Sequence, residues 1–175
     1  RIPVGIDVAS EYRYANPVVG EGDLVIGITQ SGETADTLAA MRLAQERGAT
    51  VLAVTNVMGS QATRDSDAVA YTRAGQEIGV AATKTFVCQV AVMYLLALRL
   101  AELRGTLEPE RVAELVADLR RLPEQIDQLV ADLDASGQIE GIAQQHGHCP
   151  FFLYLGRHVG LPVALEGALK LKEIS

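Results

Sequence analysis

Leu24-Val25-Ile26-Gly27-Ile28-Thr29-Gln30-Ser31-Gly32-Glu33-Thr34-Ala35-Asp36-Thr37 decides how this chain is read. A short run of β-branched and apolar residues stops abruptly at a cluster of hydroxyls, one amide and a glycine. Apolar residues at helical spacing then begin with Leu38, Met41, Leu43 and Ala44. The pattern predicts a buried strand, a tight polar loop and the start of a helix. A helix start has unpaired backbone N–H groups and partial positive charge, so it suits an anion. Thr29, Ser31, Thr34 and Thr37 add hydroxyls, and Gly32 lets the backbone approach closely. With no Lys or Arg in the loop, the chemistry suggested is enclosure of one compact anion such as a sugar phosphate. The competing reading is a polar strand-to-helix connection with an ordinary N-cap. The loop lacks the Lys-Ser/Thr pair of a Walker A loop and the three-glycine spacing of the dinucleotide fingerprint.

Working outward, Ile2–Val8, Asp23–Ile28, Thr50–Thr55 and Ala68–Tyr71 read as strands, and residues 34–47 and 61–66 as helices. Gly48 ends the first of these helices. Two strands flanking a helix make a βαβ unit, which implies a parallel sheet with a right-handed crossover. Ser10-Glu11-Tyr12-Arg13-Tyr14 reads as a helical turn capped by Ser10. A long helix is expected over 84–104. Residues 107–134 read as an amphipathic helical connector broken by Pro109 and Pro123, and 139–145 as a further helix. Phe151-Phe152-Leu153-Tyr154-Leu155 then repeats the opening pattern as a strand, followed by a loop and a helix over 161–174. The expected organisation is a first α/β domain over 1–105, a connector over 106–138 and the start of a second α/β domain over 139–175. Both ends read as cuts within a longer polypeptide.

The net charge of −7 argues against a nucleic-acid binder, which needs a basic stripe, and against an anionic membrane surface. Phe86–Leu98, the longest apolar run, reads as too short to span a bilayer. Cys88 and Cys149 are too few for a disulfide framework. The expectation is a soluble cytoplasmic protein with reduced thiols. His146-Gly147-His148-Cys149 has metal-binding donors, but nothing else in the chain completes a tetrahedral set, so no metal site and no cofactor are expected.

Two further constellations lie where chemistry is possible. Glu77-Ile78-Gly79-Val80-Ala81-Ala82-Thr83-Lys84 sits between a strand and a long helix, and its small residues would let backbone groups touch a substrate. A plain helix entry capped by Thr83 fits equally well. Glu166, Lys170 and Glu173 share one helix face by their spacing. They read either as a solvated stripe or as a carboxylate held beside an ammonium, an arrangement for moving protons on a sugar carbon.

These motifs, together with Ala164-Leu165-Glu166-Gly167-Ala168-Leu169-Lys170-Leu171-Lys172-Glu173-Ile174-Ser175, resemble the isomerase half of the glutamine–fructose-6-phosphate aminotransferase family, the glucosamine-6-phosphate synthases. The resemblance runs from end to end. It implies two sugar isomerase (SIS) domains, each a flavodoxin-like three-layer α/β/α sandwich around a parallel sheet. It implies fructose 6-phosphate as substrate, glucosamine 6-phosphate as product, and ammonia from an N-terminal glutaminase domain. A homodimer is implied as well. By resemblance Thr29, Gln30, Ser31 and Thr34 bind phosphate, and the Val80 backbone faces the sugar. Lys170 is implicated in ring opening, and Glu173 moves a proton between C1 and C2. Ala82 departs from the family's usual Ser. The resemblance also places a Gly-Thr-Ser loop before Arg1, and a histidine and a lysine after Ser175. The enzyme rivals are a catabolic SIS sugar-phosphate deaminase or deglycase. The non-enzyme rival is a phosphosugar-sensing SIS module of a transcription regulator.

Overall fold

The computed structural model describes residues 2–175. Three strands, β1 (Leu24–Ile28), β2 (Thr50–Thr55) and β3 (Ala68–Tyr71), form a parallel sheet in the order β1-β2-β3. Gly27 of β1 lies opposite Ala53 of β2, which lies opposite Val69 of β3. The connections are α2 (Ala35–Glu46) and α3 (Gln61–Asp65), preceded by α1 (Ala9–Tyr12). The four helices that follow are α4 (Lys84–Leu103), α5 (Pro109–Ser136), α6 (Gln138–His146) and α7 (Gly160–Ile174). The chain divides into two compact units, one comprising residues up to Ile78 with Thr83–Tyr94, the other Gly79–Ala82 with Leu95–Ser175.

In the first unit the core forms between α2 and the sheet. Leu38, Met41 and Ala44 sit at helical spacing and bury against Val51 and Ala53 of the central strand. Gly27 makes this approach possible, because a Cβ there would lie 2.5 Å from the Met41 sulfur. Arg42 Nη2 binds Asp65 at 2.7 Å and ties α2 to α3, and this hydrogen bond chiefly lowers the Asp65 carboxyl below its ordinary value. Helix α2 ends as expected: Gly48 takes φ +90°, and its N–H reaches Gln45 O.

Several expectations change. Residues 2–8 form no strand, and Val4, Ile6 and Val8 are exposed. The same holds for Phe151–Leu155, also exposed and without a ladder partner. An alternating or continuous apolar run supplies side chains for a sheet face, but a strand exists only where a neighbour pairs its backbone. Ser10 does not cap α1. It lies inside the helix, the N-cap is Val8, and the Ser10 hydroxyl instead donates to Glu11. Nor do the prolines break the connector. Pro109 occupies the first turn of α5, where its missing N–H has no partner to lose. Pro123 lies inside a helix that continues past it to Ser136. The strong helix formers on both sides outweigh the single lost bond to Leu119. Finally, the Phe86–Leu98 run belongs to a 20-residue helix whose most apolar 18-residue stretch has mean hydropathy 1.7, long and apolar enough by length and composition to cross a membrane.

The second unit is helical among the described residues. Gly137, at φ +62°, closes α5 and opens α6. Gly167 of α7 packs under the Tyr154 ring, where a Cβ would approach to 2.9 Å.

Candidate functional site

The loop after β1 lies at the carboxyl end of the parallel sheet, where open α/β folds place ligands. Thr29 extends the ladder by donating its N–H to Val54 O at 3.0 Å. Its buried hydroxyl accepts the Gly32 N–H at 3.2 Å and lies 3.3 Å from the Thr34 hydroxyl. Ser31 Oγ accepts the Glu33 N–H at 3.2 Å. Thr34 holds the N-cap position of α2 without a side-chain capping bond, leaving its hydroxyl to the loop. Thr29, Gln30, Ser31 and Thr34 are thus gathered within one turn at the start of α2.

A second layer fixes this turn from the β2–α3 side. Gln30 O accepts the Asn56 N–H at 3.1 Å and the Thr55 hydroxyl at 3.3 Å. Gly32 O accepts the Ala62 N–H at 2.9 Å, and Glu33 Oε1 accepts the Gln61 N–H at 2.8 Å. The Glu33 carboxylate is therefore used on α3, away from the hydroxyl-lined turn. Gly32, at φ +70°, packs against Ser60, whose buried Oγ has no hydrogen-bond partner among the described residues. Asn56 also organises the next loop: its Oδ1 accepts from Thr72 Oγ1 and Ala74 N at 3.0 and 2.9 Å, and its Nδ2 donates to Gly75 O at 2.7 Å.

The start of α4 is capped by a group other than Thr83, the cap expected from the sequence. Thr83 O accepts the Val87 N–H, so Thr83 stands at the helix entry, but its side chain does not cap the helix. The capping group is Glu77. Its Oε1 accepts the Thr83 N–H at 3.0 Å, the Thr83 hydroxyl at 2.8 Å and the Lys84 N–H at 3.1 Å. Its Oε2 accepts the Thr85 N–H at 3.3 Å and the Thr85 hydroxyl. These donors, led by the Thr85 hydroxyl, hold the carboxyl down at about 2. The signal available in the sequence was an acidic residue a loop's length ahead of Thr-Lys-Thr. Loop closure made that pairing invisible to short-range capping rules. Val80, between these points, is exposed.

In the second unit α7 brings together the three residues that share its face. Lys170 Nζ lies 2.7 Å from Glu173 Oε2 and 3.3 Å from Glu166 Oε1, and all three side chains are only about a quarter exposed, at 24–27%. The hydrogen bond to Glu173 chiefly raises the Lys170 pKa above its ordinary value, so Lys170 is an ammonium at neutral pH. Lys172 is exposed.

A parallel βαβ sheet with a polar, hydroxyl-lined turn at a helix start defines an α/β domain with a candidate anion site at the carboxyl end of its strands. The chain belongs to the SIS domain family, whose model matches residues 1–99. More particularly, it is similar to the glutamine–fructose-6-phosphate aminotransferase [isomerizing] of Mycolicibacterium smegmatis, at 52% identity over 175 residues, covering all of this chain and 27% of that protein. The enzyme of the same name from Methanosarcina acetivorans is 53% identical over 170 residues, covering 97% of this chain and 27% of that protein. Among solved structures, the C-terminal domain of glucosamine-fructose-6-phosphate aminotransferase from Francisella tularensis superposes with a TM-score of 0.92 at 36% identity. That match covers 99% of this chain and 48% of the other. The chain thus spans about a quarter of the length of the two curated relatives.

Proposed function

We propose that this segment is the isomerase part of a glutamine–fructose-6-phosphate aminotransferase, carrying most of one SIS domain over 1–105, a connector over 106–138 and the start of a second over 139–175. The substrate is fructose 6-phosphate and the product glucosamine 6-phosphate. Ammonia comes from a glutaminase domain elsewhere in the full chain. The full enzyme works as a cytoplasmic homodimer.

Thr29, Gln30, Ser31 and Thr34 hold the phosphate, whose binding energy fixes the open-chain sugar. The Val80 backbone faces the sugar. Lys170 assists ring opening. After imine formation at C2, Glu173 takes the proton from C1 and returns it at C2 through an enolamine. The observation that carries this reading is the Lys170 ammonium bridging Glu166 and Glu173 on one face of α7, a proton-handling arrangement that a mere phosphosugar sensor does not need.

The test uses the full-length protein with fructose 6-phosphate in deuterated water. The parent exchanges the C1 proton with solvent, and Glu173→Gln loses that exchange by about a hundred- to ten-thousand-fold while still binding phosphate. Exchange at the parental rate in the Gln variant refutes the mechanism. Release of ammonia from glucosamine 6-phosphate without net synthesis would favour the deaminase reading instead.

A further inference from the structure

Residues 78–82 follow β3 and precede α4 with no regular structure, and Ile78 and Val80 are almost fully exposed. Among the described residues, no loop or turn backbone hydrogen bond begins or ends on these five positions. Their conformation is constrained at the two flanks instead. One carboxylate, Glu77, joins the residue before the loop to three consecutive residues after it, through the N–H groups of Thr83, Lys84 and Thr85 and the hydroxyls of Thr83 and Thr85. Thr85 is fully buried, which anchors that end. Lys84 Nζ adds a bond to Gln76 O at 2.6 Å, a second tie between the same two flanks.

We propose that Glu77 is a positioning residue for sugar binding: its carboxylate closes the 78–82 loop into the shape in which the Val80 backbone meets the sugar. This rests on the functional reading above. A carboxylate seated on the first N–H groups of α4 satisfies that helix start itself, so the positive end of α4 holds the loop closed and the substrate phosphate goes to α2. A loop ordered before the sugar arrives spares the ordering cost at binding, an effect felt mainly in KM.

The experiment compares Glu77→Ala and Glu77→Gln with the parent in the full-length protein, well below the melting point of each. Two quantities are read: steady-state kinetics on fructose 6-phosphate, and the rate of limited proteolysis within 78–82. Glu77→Ala raises KM about tenfold or more with kcat within about threefold, and it accelerates cleavage in the loop. Glu77→Gln keeps one acceptor oxygen and recovers part of both effects. A protein made unstable without loop repositioning would lose active fraction, and so kcat, with KM unchanged. If Glu77→Ala does not fold, Thr83→Val, which removes one hydroxyl donor, gives the same pattern on a smaller scale. An active parent whose variants keep the parental KM and cleavage rate overturns the proposal. A parent that does not turn over fructose 6-phosphate, but whose loop is cleaved faster in the variant, overturns the functional reading alone.

Discussion

Gly32→Ala tests whether the hydroxyl-lined turn before α2 sits on a rigid seat. Gly32 is buried, takes φ +70°, and faces the crossover loop before α3. A Cβ there would stand 2.0 Å from Ser60 Oγ, 2.5 Å from Ser60 Cβ and 3.1 Å from Thr55 Oγ1. Rotating Ser60 about χ1 removes the first conflict but not the second, because its Cβ is fixed to the backbone. Ser60 is 3% exposed and Thr55 0%, so neither has open space to move into. The left-handed backbone costs about 1–2 kcal/mol with a Cβ present. Overpacking a filled interior typically adds about 1–3 kcal/mol. A total of about 2–5 kcal/mol corresponds to a Tm lowered by about 4–20 °C in a chain of this size. Differential scanning calorimetry measures it.

The double variant Gly32→Ala/Ser60→Gly separates the two parts. Removing both Ser60 atoms relieves the overpacking but not the backbone cost, and Ser60 Oγ leaves no partner behind because it has none. A Gly32→Ala protein melting within about 2 °C of the parent, or no coupling between the two sites, would refute the packing argument.

Met41→Ala removes a side chain 2% exposed beneath Gly27, and chemical denaturation should show a loss of about 2–5 kcal/mol. Glu77 has a carboxyl lowered from 4.5 to about 2 on folding, so its stabilisation is complete above about pH 4.5 and fades as pH falls toward 2. The Tm gap between parent and Glu77→Gln should therefore be constant near neutrality and narrow across that acid window. Ser31→Ala in the full-length enzyme should raise KM for fructose 6-phosphate more than it lowers kcat, as expected for a uniform binding contact. Lys170→Ala should slow reaction from the cyclic sugar more than reaction from an open-chain analogue, and equal losses would remove the proposed ring-opening role.

Much of the structure that depends on neighbours a few residues away was determined by the amino-acid sequence itself, with the Ser10 cap an exception. The strand, turn and helix start over 24–46, the stop at Gly48 and the shared face of Glu166, Lys170 and Glu173 all follow from short-range geometry. The α/β class followed from two strands flanking one helix. Contacts between distant segments were decided only by the tertiary structure. Whether Ile2–Val8 and Phe151–Leu155 pair as strands depends on a partner backbone that their own side chains do not specify. Pro123 breaks a helix or is carried through it according to the balance over the whole of α5. Glu77 caps α4 across a loop of five residues, and Gly32 is needed because Ser60, on another connection, comes to rest against it. Local conformational preferences extend over a few residues. The free energy that seats a carboxylate or a buried hydroxyl is set by groups that meet only after the chain has folded.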